Sequence, residues 1–249
     1  MIDLRLGDCL EVMKSIPSGS VDAIITDPPY GTTACKWDSV IDFELMWEQL
    51  NRIIKLNGAI VLFGSEPFSS ALRMSNIKNY KYDWIWIKNK GGNFLNAKKM
   101  PLMEHEIVSV FYNKPPTYNP QMQKRAPSGL ARVKSSGIIG GSVKVGSVYG
   151  KSVKSKTIYG ELRNPSSHQR FKVERGKHPT QKPVPLMEYL IKTYTNENET
   201  VLDFTMGSGS TGVAAKNLNR SFIGIEQDKK YFNIATERIN KEQPQKELF

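Results

Sequence analysis

Asp27-Pro28-Pro29-Tyr30 follows the apolar run Val21–Thr26. A carboxylate, two residues with locked φ and an aromatic ring are an odd way to leave a buried strand unless that rigidity is used. The carboxylate is a strong hydrogen-bond acceptor and the ring offers a flat apolar face. Far down the chain a second run, Thr200–Asp203, leads into Phe204-Thr205-Met206-Gly207-Ser208-Gly209-Ser210-Thr211-Gly212. Glycines there allow a tight turn and let backbone approach a ligand that a Cβ would exclude.

The context of this turn carries its meaning. A helix is predicted over 213–218, and the next strand, Ser221–Glu226, ends in Glu226, placed to accept hydrogen bonds from both hydroxyls of a ribose. Strand, glycines, helix, strand and acid in that order predict a site for a nucleoside-containing cofactor. The turn alone serves two of them. NAD would set its pyrophosphate here, whereas S-adenosylmethionine has no phosphate and needs room for a methionine tail.

The elements that must position these residues follow from periodicity. Apolar runs alternate with helix-period segments, the pattern of an α/β fold with a doubly wound, mostly parallel sheet covered on both faces. Strands are predicted at Val21–Thr26, 59–63, 82–88, 107–112, Thr200–Asp203 and Ser221–Glu226. Phe43, Met46, Trp47, Leu50, Ile53 and Ile54 recur at helical spacing, and Asn57-Gly58 is the expected stop. No helix-period segment separates 82–88 from 107–112, which predicts an antiparallel excursion at a sheet edge. The long loop between them holds Gly91-Gly92-Asn93 and Lys98-Lys99. A further helix is expected over 185–194.

At 249 residues one large α/β domain with an insertion is expected. Residues 114–177 carry fourteen Lys or Arg against Glu161 and Glu174, so this segment accounts for the whole net charge of +11. Basic charge confined to one segment is the footprint expected for a phosphate backbone. The same stretch is rich in Ser and Gly, with Val143, Val145, Val148, Tyr149, Val153, Ile158 and Tyr159 able to form small strands. No run is long enough to cross a bilayer and no secretory signal pattern opens the chain, so a cytoplasmic protein without a membrane partner is expected. Cys9 and Cys35 have no metal-ligand spacing, and no metal is expected.

The tetrapeptide together with the downstream Phe-x-x-Gly-x-Gly loop resembles the amino-methylating DNA methyltransferases with an Asp-Pro-Pro-Tyr motif, which act on N6 of adenine or N4 of cytosine. The motif order resembles the permuted β group, in which the tetrapeptide precedes the insertion and the cofactor loop comes last. Gly7-Asp8-Cys9, Lys36-Trp37-Asp38 and His178-Pro179-Thr180-Gln181-Lys182-Pro183 also look like family features. The resemblance implies a class I S-adenosylmethionine-dependent methyltransferase fold, with residues 1–113 as the catalytic part, 114–177 as an inserted DNA target-recognition segment and 178–249 as the cofactor-binding part. It implies that Asp27, Phe204, Gly207, Ser208, Gly209, Thr211 and Glu226 hold S-adenosylmethionine, with Asp8 near its adenine and Thr180 and Lys182 near its methionine end. Asp8 could equally cap the helix that follows it.

The same resemblance implies double-stranded DNA as substrate, pairing into homodimers and a cognate restriction endonuclease as functional partner. Chemically the tetrapeptide suits an exocyclic amine, whose lone pair is delocalised into the ring. Asp27 and the Pro28 carbonyl, held rigid by Pro28 and Pro29, would accept the two amine hydrogens and localise that lone pair. Tyr30 would stack on a base swung out of the duplex. Asp at position 27 favours adenine N6, with N4 of cytosine as the alternative. Residues 88–99 and the insertion would contact phosphates. A nicotinamide-dependent oxidoreductase and an inactive DNA-binding regulator remain as other readings.

Overall fold

The computed structural model describes residues 1–32, 38–135, 161–174, 176 and 180–241. In chain order the elements are β1 (Ile2–Leu6), α1 (Cys9–Met13), β2 (Val21–Thr26), α2 (Phe43–Ile53), β3 (Ile54–Gly64), α3 (Phe68–Ser75), β4 (Tyr80–Gly92) and β5 (Met103–Phe111). They continue with β6 (Gln123–Lys124), α4 (Pro127–Ser135), β7 (Leu162–Arg163), β8 (His168–Arg170), α5 (Val184–Tyr194), β9 (Thr200–Asp203), α6 (Ser210–Asn217), β10 (Ser221–Glu226) and α7 (Lys229–Lys241). The chain divides into two compact units, Met1–Asn119 with Ser167–Phe249, and Pro120–Ser166.

The first unit is built on one eight-stranded sheet in the order β1-β10-β9-β2-β3-β5-β4-β8. From β1 to β3 all neighbours are parallel, and β5 runs antiparallel to both β3 and β4. The expected antiparallel pair is therefore present, and the three-residue β8 adds to β4 on its far side. Strand alternation divides the core in two. Ala23 and Ile25 of β2 join Leu190, Val213 and Ile239 of α5, α6 and α7, whereas Ile24 joins Met13, Leu50 and Leu72 of α1, α2 and α3. With both faces buried, the central strands carry short continuous apolar stretches, 23–25 in β2 and 59–63 in β3.

Helix α2 ends at Ile53, four residues before the predicted stop, because the chain passes directly into β3; Asn57-Gly58 lies inside that strand. The register of β2 against β3 shifts between Val21 and Ala23, and a Cβ on Gly58 would come within 2.7 Å of the Asp22 carbonyl oxygen. The glycine marks an irregular strand pairing with close backbone approach, a use that resembles a helix stop in sequence. Strand β4 runs beyond 82–88 at both ends, β5 begins four residues before 107 and ends one before 112, and α6 starts three residues before 213.

In the second unit β6 pairs antiparallel with β7, and the Ser166 amide donates to Gln123 Oε1 at 3.2 Å. The small strands expected between 143 and 159 lie outside the described residues. Cys35, Lys36, Trp37, His178 and Pro179 lie there too.

Candidate active site

Strands β2 and β9 are neighbours, yet the chain leaves β2 through α2 towards β3 and leaves β9 through α6 towards β10. This reversal opens a crevice beyond the carboxyl ends of the two strands, where doubly wound sheets bind ligands. Asp27 follows β2 and Asp203 closes β9, so both sequence motifs meet there. A cavity of about 630 Å³ occupies the crevice, a size suited to a nucleoside cofactor.

Three hydroxyls and one buried carboxylate tie the motifs together. Thr26 Oγ1 donates to Asp203 Oδ1, Thr211 Oγ1 donates to Asp203 Oδ2 at 2.5 Å, and the Thr205 amide reaches Asp203 Oδ1 at 3.1 Å. Thr205 Oγ1 then donates to the Asp27 carbonyl at 3.1 Å and lies 3.0 Å from Thr26 Oγ1. The glycine loop is thus bonded to the backbone of the tetrapeptide.

Burial, only partly offset by these hydrogen bonds, pushes the Asp203 carboxyl up to about 6. An acid whose pKa is higher folded than unfolded holds its proton more tightly in the native state. Its contribution to stability is full below the unfolded value of 3.8 and is lost as pH rises through about 6. Asp203→Asn removes that loss, and the threonine hydroxyls can rotate to suit an amide. Urea unfolding at pH 4 and pH 7 is expected to show the variant gaining about 2 kcal/mol on wild type over that interval. Parallel pH curves for the two proteins would count against it.

The turn after β2 is held by a residue some distance on. Asp38 accepts the amides of Tyr30 and Gly31 on Oδ1 at 2.8 and 2.9 Å, and that of Thr32 on Oδ2 at 3.0 Å. Gly31 has φ +68, a left-handed conformation open to glycine. Tyr30 stacks on Phe68 at 5.0 Å between ring centroids, and its hydroxyl donates to Asp27 Oδ1.

Lys182, 7% exposed, donates to Asp27 Oδ2 and lies 3.3 Å from Glu106 Oε2. That second approach lacks hydrogen-bond geometry, which leaves Glu106 Oε2 without a hydrogen bond among the described residues. Lys88 holds the other oxygen, Oε1, at 2.5 Å. Burial alone would lower the Lys182 ammonium, but the Asp27 and Glu106 carboxylates overcome it and hold its pKa above the ordinary lysine range. Burial would likewise raise Glu106, and Lys182 and Lys88 hold it below the ordinary carboxylate range. Two lysines and two acids therefore form one charged cluster at the wall of the cavity.

Glu226, which also lines the cavity, accepts the Gly207 amide on Oε2 at 2.9 Å and the Asp228 amide on Oε1 at 2.8 Å. Each oxygen keeps a lone pair for a ribose hydroxyl. Gly207 has φ +53, so the loop turns where only glycine is at ease. Asp8 caps α1, accepting the Leu10 and Glu11 amides at 2.9 and 3.2 Å, and also lines the cavity. Both readings of Asp8 are thus compatible.

Asp8, Asp27, Pro28, Pro29, Tyr30, Thr180, Lys182, Phe204, Gly207, Ser208, Thr211 and Glu226 all line the one cavity. Gly209 does not. A Cβ there would meet the Ala235 Cα at 3.1 Å, so its bare backbone admits α7 against the loop. Thr211 spends its hydroxyl on Asp203. Sequence reasoning missed Glu106, Asp203 and the hydroxyls of Thr26 and Thr205, and Lys88, expected on phosphates, is instead paired with Glu106 at the cavity wall. Glu106 left a signal, an acid next to the run 107–112, but the strand was begun one residue after it.

A doubly wound α/β enzyme with a nucleoside-type glycine turn on one side of its switch point and a rigidly held carboxylate on the other is the class these features define. Residues 21–237 match the DNA methylase family of N6-adenine and N4-cytosine methyltransferases, and the chain belongs to that family. It is 30% identical over 278 aligned positions to the type II methyltransferase M.HinfI of Haemophilus influenzae, covering 96% of this chain and 68% of that one. Identity to M.HpaI of Haemophilus parainfluenzae is 28%, covering 97% and 76%. Among solved structures it resembles the complex of M1.HpyAVI with S-adenosylmethionine, with a TM-score of 0.62, 28% identity and coverage of 96% and 100%. The fold is also that of the N4-cytosine-specific PvuII DNA methyltransferase, with a TM-score of 0.66, 16% identity and coverage of 95% and 86%.

The protein is accordingly a DNA methyltransferase with the class I fold, and its cofactor is S-adenosylmethionine. This decides the choice that the glycine turn left open. The residues fit the group: an acid with free lone pairs at the end of β10, and a glycine turn beside it at the wall of the cavity. No helix among the described residues is long and apolar enough to cross a membrane.

Proposed function

We propose that the protein transfers a methyl group from S-adenosylmethionine to the N6 amine of an adenine swung out of duplex DNA. One observation carries this reading. The backbone of the tetrapeptide and the glycine loop, 178 residues apart, are joined by the bond from Thr205 Oγ1 to the Asp27 carbonyl, and both residues line the one cavity.

Glu226 would hold the ribose hydroxyls, Phe204, Gly207, Ser208 and Thr211 the walls around the nucleoside, Asp8 the adenine side, and Thr180 and Lys182 the methionine end. Gly209 acts through the packing of the loop. The cofactor, when bound, supplies an electrophilic methyl group. Asp27 and the Pro28 carbonyl accept the two hydrogens of the target amine, which localises its lone pair. Lys182 and the Tyr30 hydroxyl orient Asp27 and favour its ionised form against the opposing effect of burial, while each of its oxygens keeps capacity for a further bond. Asp27 then receives the proton that the substituted nitrogen releases. Placement of two reactants supplies most of the acceleration. Burial pushes the Cys9 thiol up to about 12, so it stays protonated at neutral pH and plays no nucleophilic part.

The order of the motifs along the chain supports membership of the permuted β group. Residues 114–177, with their concentrated positive charge, are proposed as the target-recognition segment, flanked by a catalytic part, 1–113, and a cofactor part, 178–249. Action as a homodimer beside a cognate restriction endonuclease in the cytoplasm completes the proposal. The relatives named as type II methyltransferases support a restriction-modification role.

The test is incubation of the wild-type protein with labelled S-adenosylmethionine and unmethylated genomic DNA, digestion to nucleosides, and sequencing that maps the modified positions. Label in N6-methyladenine is expected. Label in N4-methylcytosine would overturn the choice of base, and retention of DNA without any label would favour a binding protein.

A further inference from the structure

The loop between β4 and β5, expected from sequence to contact phosphates, takes no part in the methyl transfer itself, and its tip is unusual. Phe94 and Leu95 are 74% and 85% exposed, with Met100 and Leu102 each 46% exposed nearby. Scattered apolar residues are ordinary on a surface, but two adjacent large ones at a protruding tip are not.

The tip is folded. Asn93 takes a left-handed conformation with φ +63, and Phe94–Asn96 form a 3₁₀ turn. Asn96 Nδ2 donates to Asn93 Oδ1 at 2.7 Å, and the Met100 amide reaches the Asn96 carbonyl at 3.0 Å. At the root, a Cβ on Gly91 would come within 2.9 Å of the Leu102 Cβ, so this glycine lets the two limbs of the loop close together. The apolar pair is therefore presented on a braced turn, which costs little ordering entropy on contact.

Its position and charge identify the partner. Trp86 and Lys88 of β4 and Glu106 of β5 line the cavity, and the loop springs from those same strands just beyond them. The register of β4 against β5 breaks between Ile87 and Gly92, an irregularity that bends a strand at its exit. From residue 88 to 103 there are four lysines and no acid, and Lys90, Lys98 and Lys99 are exposed. Lysines around an apolar tip match a polyanion that offers stacked rings between its charges, which is duplex nucleic acid.

We propose that Phe94 and Leu95 form a wedge that enters the base stack beside the target pair and holds the duplex open while the base occupies the cavity, with Lys90, Lys98 and Lys99 on the flanking phosphates. The proposal rests on the reading of the cavity as a base-methylating site. Both side chains are exposed, so their removal leaves the fold and the cofactor site intact.

The test uses the full chain carrying Phe94→Ala and Leu95→Ala, and duplexes containing the site mapped with wild-type enzyme. In one duplex the target adenine is paired; in the other it lies opposite an abasic position and needs no unpairing. The double variant is expected to lose about tenfold or more in rate on the paired duplex and to recover to within roughly twofold of wild type on the unpaired one. Permanganate reactivity of the thymine opposite the target, present with wild type, should vanish with the variant on the paired duplex.

Equal slowing on both duplexes, or none on either, would overturn the wedge. So would a variant that merely changes from dimer to monomer in sedimentation, because the tip would then be a contact with a second copy. Failure of the wild-type protein to methylate any DNA would overturn the enzymatic reading itself and the wedge with it.

Discussion

Asp27→Asn is expected to lower kcat by roughly 10²–10³-fold while changing the dissociation constant for S-adenosylmethionine by less than about tenfold, because it removes a charged acceptor needed as the amine nitrogen becomes electron-deficient. The substitution keeps the volume of the side chain and one oxygen, so the buried contact with Tyr30 survives in part. Alanine at the same position would add the cost of leaving Lys182 facing only Glu106 and confuse chemistry with stability. Burial holds the Asp27 carboxyl above the ordinary carboxylate range despite the opposing Lys182 charge. Wild-type kcat should therefore fall as pH is lowered through that raised value, since the protonated acid accepts less well and cannot take the released proton. Single-turnover rates and calorimetric cofactor titration separate the two effects. A variant with wild-type kcat would sink the catalytic assignment of Asp27.

Lys182→Met is expected to destabilise the protein by about 3–5 kcal/mol near neutral pH, the usual consequence of removing one partner from a buried ion pair. The thioether chain replaces the volume but not the charge, and Asp27 and Glu106 are left near one another with only Lys88 to balance them. The pH dependence has a definite sign. In wild type the Lys182 pKa is raised by its carboxylates, so its contribution is present at neutral pH and is lost as pH climbs through that raised value. In the variant the two acids gain stability by protonation, so the deficit should shrink as pH falls into the carboxylate range. Unfolding titrations in urea at pH 5 and pH 8 measure this. An equal deficit at both would show that packing, not charge, is what Lys182 supplies.

These residues also mark what could be read in the linear chain. Val21–Thr26, Thr200–Asp203 and Ser221–Glu226 were legible to the residue because central strands buried on both faces carry short continuous apolar stretches. The ends of α2 and α6 were not, since a helix end depends on which neighbour takes its last amides and carbonyls. Strand β1 and helix α7 went unread. Ile2–Leu6 alternates with Asp3 and Arg5, which pair with each other, and α7 shows only Ala235 and Ile239 as fully buried apolar residues. Gly209 looked like a cofactor contact because its spacing fits one. Its lack of a Cβ also admits α7 against the loop, a role visible only once Ala235 is packed against it.

The linear chain determined the kind of chemistry: a proline-locked carboxylate, a glycine turn followed by an acid, their order, and a basic segment between them, all properties of residue type and spacing. The tertiary structure alone decided that Thr205 reaches the backbone of Asp27, that Lys182 enters between Asp27 and Glu106, and that Asp38 gathers three amides to hold the turn. The physical reason is range. Strand and turn propensities act over a few residues, whereas burial of charge and pairing across 155 or 178 positions exist only after the sheet has brought distant strands side by side.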